Sequence, residues 1–247
     1  MNLSKSWTIA RKDLKVFRRK KNILLSSIAL PLLISILLPA VVEFAGARSG
    51  GKGIPASELP TLLPAFTFFF IILSAPLITS IASYSLVGEK IEKSLEPLLA
   101  TPTTDGEILL GKSIAAFLPP MASIFAGATI FMTLMDAATY SRLGYYFFPN
   151  WNAGAVFLLL APLAAVLSIE VNVIVSSRVS DVRTAQQLGI LTTLPFGGIY
   201  LASELGVVTL DTSSLLLISG ILVVSDLLLF FVSTATFRRE EILTKWK

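Results

Sequence analysis

The chain has 247 residues, 54% hydrophobic and 15% charged, with a formal net charge of +4. Soluble domains run about 45–50% apolar and about 25% charged, so this composition places the chain among integral membrane proteins. It holds no cysteine and no histidine, which excludes disulfide frameworks, thiol nucleophiles, thiolate metal sites and imidazole acid–base chemistry together.

Lys5, Arg11, Lys12, Lys15, Arg18, Arg19, Lys20 and Lys21 crowd the amino-terminal segment. Trp7, Ala10, Leu14 and Phe17 recur there at helical spacing, with the basic residues filling the other positions. This pattern predicts an amphipathic helix over 1–22 lying on the inner leaflet of a membrane. The segment is too long and too polar for the charged region of a signal peptide, and the apolar run behind it lacks a small-residue cleavage site, so it reads as retained.

A spanning helix needs about 20 mostly apolar residues. Six windows meet that standard, at roughly 23–42, 62–86, 113–135, 153–175, 188–210 and 214–237. An amino terminus in the cytoplasm puts 17 of the 20 Lys and Arg inside: the eight above, Lys90, Lys93, Lys112, Arg178, Arg183, Arg238, Arg239, Lys245 and Lys247. Arg48, Lys52 and Arg142 fall outside. Basic residues near segment ends set orientation, which predicts a multi-pass protein of the cell membrane with both termini cytoplasmic. Tyr140, Tyr145, Tyr146, Phe147, Phe148 and Trp151 cluster in the external loop read over Asp136–Asn152, as an interfacial aromatic belt would. The fifth window is broken by Pro195, Gly197 and Gly198, and Glu204 and Asp211 follow. Whether 195–212 spans or re-enters is open, because broken backbone at membrane depth must be covered by protein or water. No internal repeat or linker divides the chain, and 1–247 reads as one membrane domain.

Between the second and third windows lies a polar interval, 88–112. Gly106, Gly111, Lys112 and Ser113 in it match the phosphate-binding spacing G-x-x-x-x-G-K-S. A working P-loop follows a buried strand, whereas Thr101 to Asp105 is polar and turn-forming. Thr104 and Glu107 have capping-box spacing, with Asp105 as a rival cap, so a helix is expected to start near Gly106. Gly111 and Lys112 would then lie in its second turn, with amides committed to helical hydrogen bonds. Lys112 reads as an anchor whose stem snorkels to the inner leaflet. Earlier in the loop, Leu95, Leu98 and Leu99 give one apolar edge, Glu89, Lys90, Glu92, Lys93 and Glu96 surround it, and Pro97 ends or kinks the helix. A short amphipathic helix with little to bury against is a docking element or an interfacial helix.

The run Gly88-Glu89-Lys90, Ser94-Leu95-Glu96-Pro97-Leu98-Leu99-Ala100-Thr101-Pro102 and Glu107-Ile108-Leu109-Leu110-Gly111-Lys112 resembles the loop between the second and third spans of ABC-2 type transporter permeases. The six-span plan, the basic entry helix and the Phe237-Arg238-Arg239-Glu240 exit are similar to that family too; Lys93-Ser94 departs from the Gly-Thr of many relatives. The resemblance implies an all-α fold of six transmembrane helices with a cytoplasmic coupling helix within 88–112. It also implies a second permease copy, in a homodimer or heterodimer, and separate ATPase subunits that carry ATP and magnesium. Glu89, Lys90, Glu92, Leu95, Glu96, Leu98 and Leu99 are then the ATPase-coupling residues. No cofactor, metal, nucleic acid or catalytic residue is expected on this chain.

Asp226 lies midway along the last span, and Glu170 with Asn172 lies in the fourth. Charges at such depth cost about 2.5–3.5 kcal/mol on insertion scales, so both acids should face protein or water. They are candidates for the translocation path, or for plain hydrogen bonding between helices. Ala126, Gly127 and Ala128 are small enough for close helix contact. Three functions compete: a permease subunit of an ATP-driven exporter; a stand-alone ion-coupled carrier using Glu170 and Asp226; and an intramembrane enzyme, which lacks His, Cys or a second deep aspartate. The transported substrate is not named by the sequence.

Overall fold

The structure, a computed structural model, describes residues 2–45, 54–91 and 101–236. Among them it is helical, with no strand. In chain order the helices are α1 (Leu3–Arg19), α2 (Lys21–Phe44), α3 (Leu59–Ile91, with a π-helical turn at Tyr84–Gly88) and α4 (Asp105–Leu143). They continue as α5 (Trp151–Arg178, with a π-helical turn at Val156–Leu160), α6 (Val182–Ile190), α7 (Leu194–Glu204) and α8 (Thr212–Thr236). Five of them, α2, α3, α4, α5 and α8, are long and apolar enough to cross a membrane, so the chain has the helices of a multi-pass membrane protein. A helix pairs its backbone groups internally, as an apolar solvent demands, and only prolines such as Pro31, Pro76 and Pro120 interrupt that ladder.

α3 is the central helix. Phe70 on it packs against Phe131 of α4 at 5.2 Å and Phe157 of α5 at 5.4 Å between ring centroids. α2 lies along α4 in parallel. Ser123 donates to the Ser27 carbonyl at 2.8 Å, Gly127 meets Pro31, and Arg142 reaches the Val42 carbonyl and Glu43 at 3.2 and 2.6 Å. Gly127 and Ala128 are buried in this contact and allow the close approach, whereas Ala126 is exposed. α2 and α8 present much of their apolar surface outward: Leu33, Ile36, Leu217 and Leu228 are all more than half exposed.

α4 is 39 residues long, about 58 Å at a rise of about 1.5 Å per residue, and extends beyond the predicted span at both ends. Asp136 to Leu143, expected in the external loop, is therefore helical. Asp136 instead caps the turn beyond, accepting from the Phe147 and Phe148 amides at 2.9 and 3.1 Å. Tyr140, Tyr145, Tyr146 and Trp151 face outward while Phe148 is buried, so the aromatic cluster divides between an exposed belt and the core.

The fifth window folds as α6, a single tight 3-10 turn at Leu191–Thr193, and α7. It descends the face of α3 in steps. Gln186 donates to Ser80, Thr192 meets Ser168, and Tyr200 packs on Phe69 at 6.0 Å. Gly189 touches Thr79 and Asn172, so closely that an added Cβ would collide with both. The segment begins beside Arg178, and the chain reaches the start of α8 beside Asn152, which donates to the Leu210 carbonyl and accepts from Thr212. The chain thus returns from the end of α5 to the level of its start through two short helices and the turn that follows them. At the start of α8, Asp211 accepts from Ser213 and Ser214, which hold its carboxyl down at about 2.

Candidate functional site

The end of the bundle that carries the 88–112 loop is held by an arrangement in which α1 takes part. Thr104 caps α4, accepting from the Glu107 amide at 3.3 Å while Glu107 accepts from the Thr104 amide at 3.0 Å. This is the expected capping box, with the helix starting at Asp105. The same Glu107 carboxylate also accepts from the Asn2 amide at 2.7 Å, tying the start of α1 to the start of α4. Lys5 reaches the Pro102 carbonyl at 2.8 Å. One turn on, Gly111 lets α1 settle directly on α4: a Cβ there would stand 2.6 Å from the Ser6 carbonyl oxygen and 2.8 Å from Ile9 Cβ.

α1 is thus a packed helix of the bundle. Ser6, Ile9, Ala10, Asp13 and Phe17 are buried, Leu14 is half-buried, and Trp7, expected on the apolar stripe, is 52% exposed. The buried face is rotated from the predicted one because it packs on α4.

Lys112 corrects the sequence reading more sharply. Its side chain is 2% exposed, so it does not snorkel. Its ammonium donates to Glu89 Oε2 at 2.5 Å, to the Ser85 carbonyl at 2.8 Å and to Asp13 Oδ2 at 3.3 Å. Lys12 approaches the same acids from the outside, 2.5 Å from Glu89 Oε1 and 3.1 Å from Asp13 Oδ1. Burial pushes the Lys12 ammonium down, but Glu89 and Asp13 outweigh it and hold it above the usual lysine value. Two cations and two carboxylates form a neutral quartet joining α1, the end of α3 and α4. An ammonium has three N–H groups, all engaged here. The P-loop spacing is thus used for helix packing by Gly111 and for ion pairing by Lys112.

Lys90, the next predicted coupling residue, donates to the Ser176 carbonyl at 2.5 Å, near the last turn of α5, where a cation also complements the helix dipole. Glu89 and Lys90 therefore turn inward, one to α1 and α4, the other to α5. Glu92, Leu95, Glu96, Leu98 and Leu99 lie outside the described residues.

The three intramembrane candidates separate. Asn172 is buried, donating to Ser83 at 2.8 Å and accepting from Ser176 at 3.0 Å, so it pins α5 to α3. Glu170 on α5 and Asp226 on α8 stand on helices that pack against one another. Each residue is 7% exposed. Among the described residues, Glu170 Oε2 and both Asp226 oxygens have no hydrogen-bond partner. Glu170 borders a cavity of about 410 Å³ between α4, α5 and α8 whose wall is mostly hydrocarbon, including Leu109, Phe117 and Phe230.

No family model matches the chain, and no curated protein matches it. The site therefore stands on its own chemistry.

Asp13 is the functional residue the sequence reading missed. Its signal was present: it is the sole acid before Glu43, and it stands three residues after Ala10 and four before Phe17, on the apolar stripe. A carboxylate placed there requires a buried cation, and Lys112 inside an apolar helix requires an anion.

Proposed function

We propose that this chain is the membrane subunit of an ATP-driven exporter of the ABC-2 permease type. A second copy completes the translocation path, and separate ATPase subunits carrying ATP and magnesium dock on the cytoplasmic 88–112 loop. The observation that supports this most is the anchoring of the loop's two roots. Glu89 and Lys112 bind one another and α1, and Lys90 binds α5. A push on the loop is then delivered to α1, α3, α4 and α5 together, because packed helices move as bodies rather than deform. The leucine edge Leu95, Leu98 and Leu99 is the docking surface.

In this reading the chain crosses the membrane six times, the fifth crossing being the broken α6–α7 segment, and α1 lies at the inner interface. Both termini are cytoplasmic. The chain has no cysteine, so single cysteines at Gly50, Tyr145 and Thr212 are expected to react with an impermeant maleimide from outside. Labelling only from the cytoplasmic face would overturn the topology.

The burial of Glu170 and Asp226 on two packed helices favours one second reading, a stand-alone ion-coupled carrier that uses the pair as a relay. Purification from native membranes separates the two. An exporter subunit should bring down an ATPase with P-loop and signature motifs, and Leu98→Asp should release it. Burying a leucine contributes roughly 1.5–3 kcal/mol, and a carboxylate in its place would add a desolvation cost. An active transporter with no ATPase attached would favour the carrier.

A further inference from the structure

We propose that the cavity between α4, α5 and α8 binds an amphipathic organic cation, its charged nitrogen at Glu170 and Asp226 and its apolar body against the hydrocarbon wall. This rests on the reading of the chain as a transport subunit and names the class of substrate.

The cavity, about 410 Å³, falls within the roughly 300–1,000 Å³ of small-molecule sites. Leu109, Ile114, Phe117, Leu118, Val166 and Phe230 supply apolar wall from all three helices, and among the described residues no basic one lines it. Glu170 stands in this wall, and Asp226 lies one turn of α8 before Phe230, which also lines it. Both are more than nine-tenths buried, and three of their oxygens lack a donor among the described residues. Buried carboxyls without partners are costly, so the site is short of hydrogen-bond donors and positive charge.

The chemistry of the surroundings selects the ligand. Calcium takes 6–8 oxygen ligands, and magnesium about six in strict geometry; the described residues contain no group of three or more Asp, Glu, His or Cys suited to a metal. An anion would meet two acids, and a neutral apolar molecule would leave them unpaired. An organic ammonium needs only one or two carboxylates and buries its remaining surface on the hydrocarbon wall.

The test uses the full-length chain in lipid nanodiscs, with ethidium as a fluorescent lipophilic cation. Binding is expected to be saturable, and about ten-fold weaker or more in Glu170→Gln and in Asp226→Asn, which keep side-chain size but lose the charge. Leu118→Trp, which fills the cavity from α4, should weaken it too; this variant and the two acids on different helices keep the test informative if one protein fails to fold. Exchanging sodium for potassium should leave binding unchanged. Binding no greater than to empty nanodiscs, or unchanged by both amide variants, would overturn the proposal, and so would displacement by sodium, which would give the pair to an inorganic ion. No ATPase is present in this assay, so its failure leaves the docking reading intact. Failure to recover an ATPase would in turn leave the binding result standing.

Discussion

Lys112→Met is expected to cost the folded chain about 3–5 kcal/mol, the range for breaking a buried ion pair by removing one partner. Lys112 and Asp13 are 2% and 3% exposed at their side chains, and Glu89 is 12% exposed. Without the ammonium, the one cation left to Asp13 and Glu89 among the described residues is Lys12, which approaches from the solvent side and is 43% exposed; Asp13 keeps the Ser85 hydroxyl as a neutral donor. The Ser85 carbonyl loses its donor as well. Thermal unfolding in detergent should therefore shift strongly downward. Adding Asp13→Asn and Glu89→Gln to Lys112→Met should recover much of the loss, because the penalty comes from stranded charge and not from the missing contact. A single Lys112→Met variant that melts like the wild type would show that the quartet contributes nothing to the fold.

Gly111→Leu is the second large effect. The first added carbon meets the Ser6 backbone carbonyl at 2.6 Å and Ile9 Cβ at 2.8 Å, and neither belongs to a flexible side-chain end. α1 must lift from α4, stretching the Asn2–Glu107 and Asp13–Lys112 contacts along with it. Overpacking of this kind costs about 1–3 kcal/mol. The expected readouts are a lower melting temperature and faster proteolysis within α1. Gly154→Ala is the control, since nothing lies within 4 Å of a Cβ at that position, and it should be close to neutral. Equal behaviour of the two variants would mean that α1 is not seated on α4.

Much of this architecture was legible because bilayer helices are written in length and apolarity. Five of the six predicted windows became long helices, and the Thr104–Glu107 spacing located the start of α4 to within a residue. What was not legible came from contacts between helices. The hydropathy of α1 points Trp7 toward lipid, but the helix rotates to place Asp13 over Lys112, a pairing across 99 residues that no local pattern encodes. The broken window at 188–210 announced its break through Pro195 and the glycines, yet its path down α3 depends on Gly189 fitting against Thr79 and Asn172. Of the candidate path residues, depth alone picked out Glu170, Asn172 and Asp226 together. Only their partners separate them, since among the described residues Asn172 has two and the acids leave three oxygens without any.

The central claim is that an ATPase moves this bundle through the 88–112 loop, and crosslinking from that loop addresses it most directly. A single cysteine at Leu98, in membranes containing the native partners, should form a covalent adduct with a nucleotide-binding subunit, and a cysteine at Tyr145 on the opposite end of the bundle should not. An ATPase that fails to crosslink from Leu98, or crosslinks equally from Tyr145, would contradict the account.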